Sequence, residues 1–307
     1  MGKGHEMKRI VITTSSFAEF DKAPLDLLRS KGFEVSLNPF RRKLQKEEIL
    51  RLCEGAEGIL AGVEALGKEV LKELKSLRVI SRCGVGMENV DLEAARELGI
   101  KVLNTPDAPT LAVAELTVGL ILDLLRKTSF MNAQLKAGKW DKQMGNLLHG
   151  KRLGIIGFGR IGRKVSQLIK PFACEVSYFD PQLEDGILGC KKLALEELLA
   201  ASDIITIHSS GDKKILGERE FPLLKKPCWL INVARGEAID EGLLYDYLKE
   251  DRIAGAALDV FRNEPYTGAL RELDNVILTP HIGSYAVEAR VLMEKQAAEN
   301  LLKGLGV

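Results

Sequence analysis

Three polar residues of this sequence, Arg235, Glu264 and His281, follow separate apolar runs and could together act on a small carboxylic acid. Arginine binds a carboxylate through a two-pronged guanidinium group and can polarise a neighbouring carbonyl. Histidine is the side chain whose ordinary pKa, about 6.5, lets it give and take a proton near neutral pH. A glutamate can hold the far nitrogen of the ring and fix its orientation. These residue types suit proton transfer to a bound 2-keto acid.

Taken singly, each of the three residues has a simpler interpretation. An arginine after a strand is usually a surface charge, Glu264-Pro265 can form a turn, and His281 could cap a helix beginning at Ser284. Their positions favour a shared site, because each follows the carboxyl end of a predicted strand, where open α/β sheets bind ligands. The sequence therefore predicts that the three side chains meet at one edge of a parallel sheet.

A dinucleotide-binding fingerprint in the middle of the chain indicates the cofactor that hydride transfer to such an acid would need. The apolar run Arg152–Ile156 leads into Gly157-Phe158-Gly159-Arg160-Ile161-Gly162, and Asp180 ends a second run, 18 positions after Gly162. Gly157 permits the tight turn, Gly159 lets the backbone approach a pyrophosphate, and Gly162 lets the helix pack on the strand. The amides of Arg160 and Ile161 open the helix, where an anion is favoured. Asp180 would bind the ribose hydroxyls and repel a 2′-phosphate, so we expect NAD rather than NADP.

The composition excludes several other classes of protein. A net charge of +1 gives no field for nucleic acid or an anionic membrane, and four scattered histidines offer no metal cluster. The longest apolar segment, Leu111–Leu125, contains Glu115 and Asp123, so we expect a buried helix and no membrane span. Five cysteines without a CxxC pair suggest reduced thiols and a cytoplasmic location. Residues Met1–Met7 are polar, and we expect no signal peptide.

Short apolar runs alternate with helical patterns along the whole chain, which predicts parallel sheets built from βαβ units. A first domain must precede the fingerprint, and the helical tail from Ser284 to Leu302 has no strand partner left in the second half. We therefore expect a discontinuous first domain.

Predicted strands are Arg9–Thr13, Glu34–Leu37, Gly58–Ala61, Arg78–Ser81 and Lys101–Leu103, then six more at Arg152–Ile156, Glu175–Phe179, Ile204–His208, Trp229–Val233, Ile253–Ala257 and Val276–Leu278. Predicted helices include Ala23–Ser30, Lys46–Cys53, Lys68–Leu74, Leu92–Leu98, Thr110–Arg126 and Arg163–Lys170.

The chain resembles the D-isomer-specific 2-hydroxyacid dehydrogenases, and within them the phosphoglycerate dehydrogenase-like group. The resemblance covers nearly the whole sequence and is carried by Ser81–Asp91, Asn104–Pro106 with Val113–Glu115, Gly154–Gly162, Arg235, Asp259–Pro265 and Pro280–Gly283. It implies a two-lobed α/β fold with doubly wound parallel sheets and a cleft between the lobes. A Rossmann NAD-binding domain, residues 105–283, would be inserted in a flavodoxin-like substrate domain, residues 1–104 and 284–307. A homodimer built around the nucleotide-binding domain is also implied.

The resemblance further assigns roles residue by residue. Arg235, Glu264 and His281 would be the catalytic set, and the backbone amides of Gly84, Val85 and Gly86 would bind the substrate carboxylate, with Arg82 beside them. Val233 and Asp259 would position the nicotinamide carboxamide. The remaining cofactor contacts would come from the fingerprint residues and Asp180, together with Ser209, Ala234, Gly283 and Ser284. The Gly84–Gly86 loop could instead be only a turn, and Asp259 only a cap.

Some positions depart from the family pattern. His208 is followed by Ser209-Ser210-Gly211-Asp212-Lys213-Lys214 where the family usually has a Pro-Leu-Thr type loop, so the wall beside the adenine is expected to be more polar. Ser284 replaces a common glycine, and Glu88 stands where Asp is frequent. The segment Ala61-Gly62-Val63-Glu64 lacks an arginine that often meets a substrate phosphate, so Arg82 or a lysine from elsewhere would have to bind it. Because the sequence ends at Val307, we expect no serine-sensing domain.

The sequence therefore predicts an NAD-dependent D-2-hydroxyacid dehydrogenase. D-3-phosphoglycerate is the first substrate expected, followed by hydroxypyruvate, glyoxylate or another small 2-keto acid. One alternative is a dinucleotide-sensing binding protein, since corepressors occur in this family. A formate-type dehydrogenase would pair its histidine with glutamine, and Glu264 argues against it.

Overall fold

The structure is a computed structural model that describes residues 8–211 and 213–307. It divides into two compact units: unit 1 extends to Pro109 and resumes from Tyr285 to Val307, and unit 2 spans Thr110–Ser284. Residues 1–7, where we expect no signal peptide, lie outside the described residues. So does Asp212, in the loop that follows His208.

Twelve strands and ten α-helices follow one another along the described residues. The strands are β1 Arg9–Ile12, β2 Glu34–Leu37, β3 Gly58–Ala61, β4 Val79–Arg82, β5 Lys101–Leu103, β6 Arg152–Ile156, β7 Glu175–Phe179, β8 Lys191–Lys192, β9 Ile204–Ile207, β10 Trp229–Asn232, β11 Gly255–Leu258 and β12 Val276–Leu278. The helices are α1 Ala23–Ser30, α2 Lys46–Leu52, α3 Lys68–Glu73, α4 Leu92–Glu97, α5 Thr110–Arg126, α6 Thr128–Lys136, α7 Arg160–Leu168, α8 Leu195–Ala201, α9 Glu241–Lys249 and α10 Val287–Leu305.

Unit 1 is built on a five-stranded parallel sheet in the order β2-β1-β3-β4-β5. This is the flavodoxin-like order, and the chain reverses direction across the sheet between β1 and β3. β3 is buried along its whole length, as expected for a central parallel strand covered on both faces. Helix α10 packs against β3, β4 and β5, so the last segment of the chain completes one face of this unit.

Unit 2 carries a seven-stranded sheet in the order β12-β11-β10-β9-β6-β7-β8, and all of its pairings are parallel. Read from β8, this order is that of the doubly wound Rossmann fold with one strand added at the far edge. The central strands β9 and β10 consist of IITI and WLIN and are buried throughout. The predicted α/β class with two doubly wound parallel sheets is confirmed.

Several predicted element boundaries were wrong. Unit 2 has seven strands and not six, because the two lysines of β8 pair with β7 at the sheet edge without any apolar signal. Strand β11 begins at Gly255 and not at Ile253. Helix α7 begins at Arg160 and not at Arg163, directly after Gly159. Helix α10 begins at Val287, so His281 does not cap it.

Two general properties of the described residues bear on function. All five cysteines lie among them, and none is in a disulfide. Across the same residues, no helix combines the length and apolar character needed to cross a membrane.

Candidate active site

The glycines of the fingerprint form a tight turn between β6 and α7 in unit 2. Gly157 has φ 86°, and a Cβ there would lie 2.5 Å from the Ser209 nitrogen. A Cβ on Gly162 would lie 2.4 Å from the Gly157 carbonyl oxygen, so the helix can approach the strand only without a side chain. Gly159 is different: a Cβ there would meet no atom within 4 Å. The backbone at Gly159 therefore faces open space, as the approach of a pyrophosphate requires.

Asp180 follows β7 and lies beside the same turn. Its Oδ2 accepts a hydrogen bond from the Phe158 N–H at 2.9 Å, and its Oδ1 accepts one from the Gln182 N–H at 3.0 Å. The carboxylate is thus fixed next to the open backbone around Gly159. An acid in this place suits the two hydroxyls of an adenosine ribose and opposes a 2′-phosphate. The residues present fit an NAD molecule.

The loop after β9 forms the neighbouring wall of this turn. Ser209 lies there against Gly157, and His208 precedes it. Thr206 Oγ1 lies 2.9 Å from His208 Nε2, whereas His208 Nδ1 is buried without a hydrogen-bond partner in the described structure. Burial lowers the pKa of His208 to about 3, so its ring is neutral at physiological pH.

Arg235 lies in the turn that follows β10, next to the buried residues Val233 and Ala234. The side chain of Asn232 shapes this turn: its Nδ2 donates to the Arg235 carbonyl at 2.8 Å and its Oδ1 accepts from the Ala234 N–H at 3.1 Å. Arg235 Nη1 donates to the Ala234 carbonyl at 2.8 Å. The arginine is therefore presented at the carboxyl edge of the sheet by a rigid, internally bonded turn.

The turn of Arg235 is packed against the segment that follows β11. A Cβ on Gly236 would lie 2.0 Å from the Phe261 carbonyl carbon and 2.2 Å from the Arg262 nitrogen. Only a glycine permits this approach of two backbones. The contact joins the segment of Arg235 to the segment that leads to Glu264.

Glu264 bridges its own segment and His281. Its Oε1 accepts a hydrogen bond from the Phe261 N–H at 3.1 Å, and its Oε2 lies 2.9 Å from His281 Nδ1. The His281 side chain is 54% exposed, so the ring can meet a ligand while Glu264 holds Nδ1. Nε2 is the ring nitrogen directed away from the carboxylate, as proton transfer to a bound molecule requires.

Asp259 fixes the turn that contains His281, which has a left-handed φ of 54°. The Asp259 carboxylate is only 1% exposed, and its Oδ1 accepts from Thr279 Oγ1 at 2.6 Å and from the Ile282 N–H at 2.8 Å. Its Oδ2 accepts from the Gly283 N–H at 2.7 Å. One carboxylate therefore binds both amides that follow the histidine.

Unit 1 contains the loop Gly84–Gly86, directly after β4. Gly84 has φ 152°, and its N–H donates to Thr105 Oγ1 at 2.9 Å, while Asn104 Nδ2 donates to the Val85 carbonyl at 2.7 Å. Arg82 lies beneath this loop, because a Cβ on Gly84 would lie 2.6 Å from Arg82 Nη1. Burial lowers the pKa of Arg82 from its ordinary value, and the charge of Glu64 acts in the opposite direction.

The residues singled out in the sequence thus form two groups, one in each unit. Unit 2 brings together the fingerprint, Asp180 and Ser209, and it connects Arg235, Glu264, His281 and Asp259 through neighbouring turns. Unit 1 holds Arg82 and the Gly84–Gly86 loop. Asn232 and Thr279, which shape these turns, had no role predicted from the sequence. A polar residue directly after a buried strand was the available signal for Asn232.

Comparison with known proteins shows which proteins this chain is similar to. Residues 118–283, more than half of the chain, match the NAD-binding domain of the D-isomer specific 2-hydroxyacid dehydrogenases. The D-3-phosphoglycerate dehydrogenase of Methanocaldococcus jannaschii is 40% identical over 274 residues, which cover 85% of this chain and 52% of that protein. The chain thus spans about half the length of that relative. The hydroxypyruvate reductase of Thermotoga maritima is 34% identical over 297 residues, which cover 94% of this chain and 96% of that protein.

A solved structure agrees with the sequence relatives. A protein from Thermus thermophilus matches with a TM-score of 0.89 and 35% identity, covering 97% of both chains. The NAD-binding fold, the fingerprint geometry and these relatives agree: the chain belongs to the D-isomer-specific 2-hydroxyacid dehydrogenase family.

Proposed function

We propose that this protein is an NAD-dependent D-2-hydroxyacid dehydrogenase that interconverts a small 2-keto acid and its D-2-hydroxy acid. The observation that carries the proposal is the 2.9 Å contact between Glu264 Oε2 and His281 Nδ1, at the strand ends that also present Arg235. This arrangement supplies a proton donor or acceptor and an anion-binding arginine in the same unit as the dinucleotide turn.

Each residue then has a defined task. NADH held by the fingerprint residues and Asp180 would supply the hydride for reduction at C2, and NAD would accept it in the reverse direction. Arg235 binds the substrate carboxylate and polarises the C2 carbonyl. His281 donates the proton from Nε2 to the carbonyl oxygen as the alcohol forms, while Glu264 stabilises the ring in the orientation that directs Nε2 outward. Fingerprint residues, including Arg160 and Ile161, bind the pyrophosphate, and Asp180 binds the ribose.

Further assignments for the cofactor and the substrate rest on the local geometry. We assign binding of the nicotinamide end of NAD to Val233, Ala234 and Asp259. Gly283 and Ser284 would lie beside it. In unit 1, the Gly84 N–H is bound by Thr105, so we assign the substrate carboxylate to the next two amides, those of Val85 and Gly86. Accordingly, unit 1 acts as the substrate domain and unit 2 as the cofactor domain.

A single substitution tests the proposal. His281→Gln should lower kcat for reduction of glyoxylate or hydroxypyruvate by roughly 10²-fold or more, since general acid–base catalysis contributes about that factor. NADH affinity, measured by fluorescence titration, should stay within about twofold. His149→Gln is the matched control, because His149 is an exposed histidine of the same unit. Equal kcat values for His281→Gln and wild type would contradict the assignment.

The relatives support two substrate classes. One relative is named a D-3-phosphoglycerate dehydrogenase, but the chain covers only 52% of it, whereas the hydroxypyruvate reductase is matched over 96% of its length. The proposed chemistry at C2 is the same for both substrates, which differ at C3. The choice between them depends on unit 1.

We also propose a homodimer formed through unit 2. Four large apolar side chains, Leu135, Trp140, Met144 and Leu147, are 55%, 79%, 90% and 70% exposed within a short stretch at and after α6. Exposed apolar patches mark protein interfaces, and we assign these four side chains, which lie close together in sequence, to such a patch. Light scattering of the wild type should give twice the chain mass, and Trp140→Glu should weaken the dimer. A monomeric wild type would contradict this assignment.

A further inference from the structure

The point where the chain reverses across the sheet of unit 1 contains an unusual buried carboxylate. In an open parallel sheet, ligands bind at the carboxyl ends of the strands, in the crevice at the reversal point. Here that crevice lies between β1 and β3, and the residues at its edge are Thr13 after β1 and Gly62–Glu64 after β3. Glu64 is only 1% exposed.

Glu64 is tightly bound in this crevice. Its Oε1 accepts a hydrogen bond from the Gly62 N–H at 2.9 Å and contacts the Thr13 hydroxyl. A Cβ on Gly62 would lie 2.8 Å from Glu64 Oε2 and 3.1 Å from the Cα of Thr14. The carboxylate therefore occupies the space above Gly62, and a longer side chain at position 62 could not coexist with it.

The backbone of the same segment belongs to the network beneath the proposed substrate loop. Asn89 Nδ2 donates to the Gly62 and Glu64 carbonyls at 3.2 and 2.7 Å, and Asn89 Oδ1 accepts from Arg82 Nε at 3.2 Å. Arg82 in turn lies under Gly84. The charge of Glu64 acts on Arg82 and raises its pKa against the effect of burial, so it offsets the arginine nearest to the loop.

A second arginine of unit 1 is neutralised by a direct ion pair. Arg290 Nε donates to Glu294 Oε1 at 2.7 Å, and Glu294, 2% exposed, also accepts from the Ala18 N–H at 2.9 Å through Oε2. A basic stretch, Arg41–Lys43, follows the edge strand β2, on the far side of β1 from Glu64, and Arg42 there pairs with Glu48 at 2.6 Å. Neither Arg290 nor Arg42 therefore supplies an uncompensated cation to the loops after β3 and β4.

The loops that leave β3, β4 and β5 supply a single cation. Residues 62–67, 82–91 and 104–109 are all described, and Arg82 is the one lysine or arginine in them. Its positive charge is opposed by the charge of Glu64. A monoanionic keto acid can be held there by backbone amides. A substrate with a phosphate at C3 would bring about two further negative charges to an edge whose one cation is already offset.

We propose that Glu64 is a specificity-determining residue that restricts the substrate to unphosphorylated small 2-keto acids. The inference rests on the proposed function, since it places the substrate carboxylate at the Gly84–Gly86 loop. It reverses the order of substrates expected from the sequence, because hydroxypyruvate now precedes the phosphorylated compound.

The experiment compares hydroxypyruvate with 3-phosphohydroxypyruvate, two probes that differ only in the phosphate. For the wild type, kcat/KM with NADH should favour hydroxypyruvate by about tenfold or more, the scale of one like-charge contact near a protein surface. Glu64→Gln, which keeps the shape and removes the charge, should narrow that ratio by about tenfold. Glu57→Gln is the control: Glu57 pairs with Arg78 at 3.1 Å at the opposite end of β3 and should leave the ratio unchanged.

Each result has one meaning. A wild type that uses 3-phosphohydroxypyruvate as well as hydroxypyruvate would overturn the inference and leave the proposed dehydrogenase function intact. A folded Glu64→Gln with the wild-type ratio would also overturn it. Should Glu64→Gln fail to fold, product inhibition of the wild type tests the substrate preference on which the inference depends: D-glycerate should inhibit more strongly than D-3-phosphoglycerate, and the reverse order would overturn the inference. Failure to reduce either keto acid while binding NADH would remove the proposed function, and the inference with it.

Discussion

The carboxylate of Asp259 accepts a hydrogen bond from the Gly283 N–H at 2.7 Å, which connects the end of β11 to the turn of His281. The second carboxylate oxygen binds the Ile282 N–H at 2.8 Å. The proposed acid/base is thus held in its left-handed conformation by a residue more than twenty positions earlier. Glu264 orients the ring, and Asp259 orients the backbone beneath it.

Asp259→Asn should impair catalysis more than folding. The two amides are bound by different carboxylate oxygens, and the carboxamide replaces one of these oxygens with an NH2 donor, so the turn of His281 should shift. A displacement of about 1 Å can cost roughly 10²-fold in rate. We therefore expect kcat for 2-keto acid reduction to fall by about 10–100-fold. Asp274→Asn, at an exposed aspartate of unit 2, should behave as wild type, and equal kcat values for the two variants would contradict this account.

Two glycines of one turn should respond differently to alanine. Gly162→Ala places a Cβ 2.4 Å from the Gly157 oxygen, so it should destabilise the protein by about 1–3 kcal/mol, the usual cost of overpacking. Gly159→Ala meets no atom within 4 Å, so its Tm should match wild type while NADH affinity falls, because the methyl group occupies the approach of the pyrophosphate. Thermal unfolding and NADH titration of both variants test this. Normal NADH binding by Gly159→Ala would place the pyrophosphate elsewhere.

Asp180 should determine the choice between NAD and NADP. Its carboxylate is fixed beside the dinucleotide turn by the Phe158 N–H, so a 2′-phosphate would meet a negative charge. The wild type should prefer NADH over NADPH by at least about tenfold in kcat/KM, and Asp180→Ser should reduce that preference. Better use of NADPH than of NADH by the wild type would be the contrary result.

His208 should make the protein sensitive to mild acid. Burial lowers the pKa of His208 to about 3, whereas an unfolded histidine titrates near 6.5. Between these values the unfolded chain binds a proton that the folded chain excludes, so the free energy of unfolding falls as pH decreases below about 6.5. From pH 7 to pH 5, wild type should lose about 2 kcal/mol more than His208→Gln in urea unfolding. His149→Gln should lose as much as wild type, and identical losses for wild type and His208→Gln would show that His208 is not the titrating group.

The sequence predicted those parts of the fold that depend on local pattern. Strands such as Gly58–Ala61 and Arg152–Ile156 matched the structure residue for residue, because buried parallel strands are continuous apolar runs. The fingerprint was recognisable because each glycine has a steric task within one short turn. Strand β8, two lysines at a sheet edge, carries no such pattern and was missed.

Contacts distant in sequence could not be predicted in this way. The approach of Gly236 to Phe261 and the bonds from Asp259 to the turn of His281 appear only when the strands are aligned. Glu64 is the clearest case. A glutamate after a strand is usually exposed, and only the structure shows it buried against Gly62 and Thr13.

The most direct test of the proposed function is NADH oxidation by the wild type and by Arg235→Lys, across a panel of small 2-keto acids, with an NADH titration of both proteins. Lysine keeps the charge but loses the planar fork, so kcat/KM should fall by roughly 10²–10³-fold on the best substrate. NADH affinity should hardly change. A wild type that binds NADH tightly but reduces no 2-keto acid would contradict the account, as would an Arg235→Lys variant with normal kcat/KM.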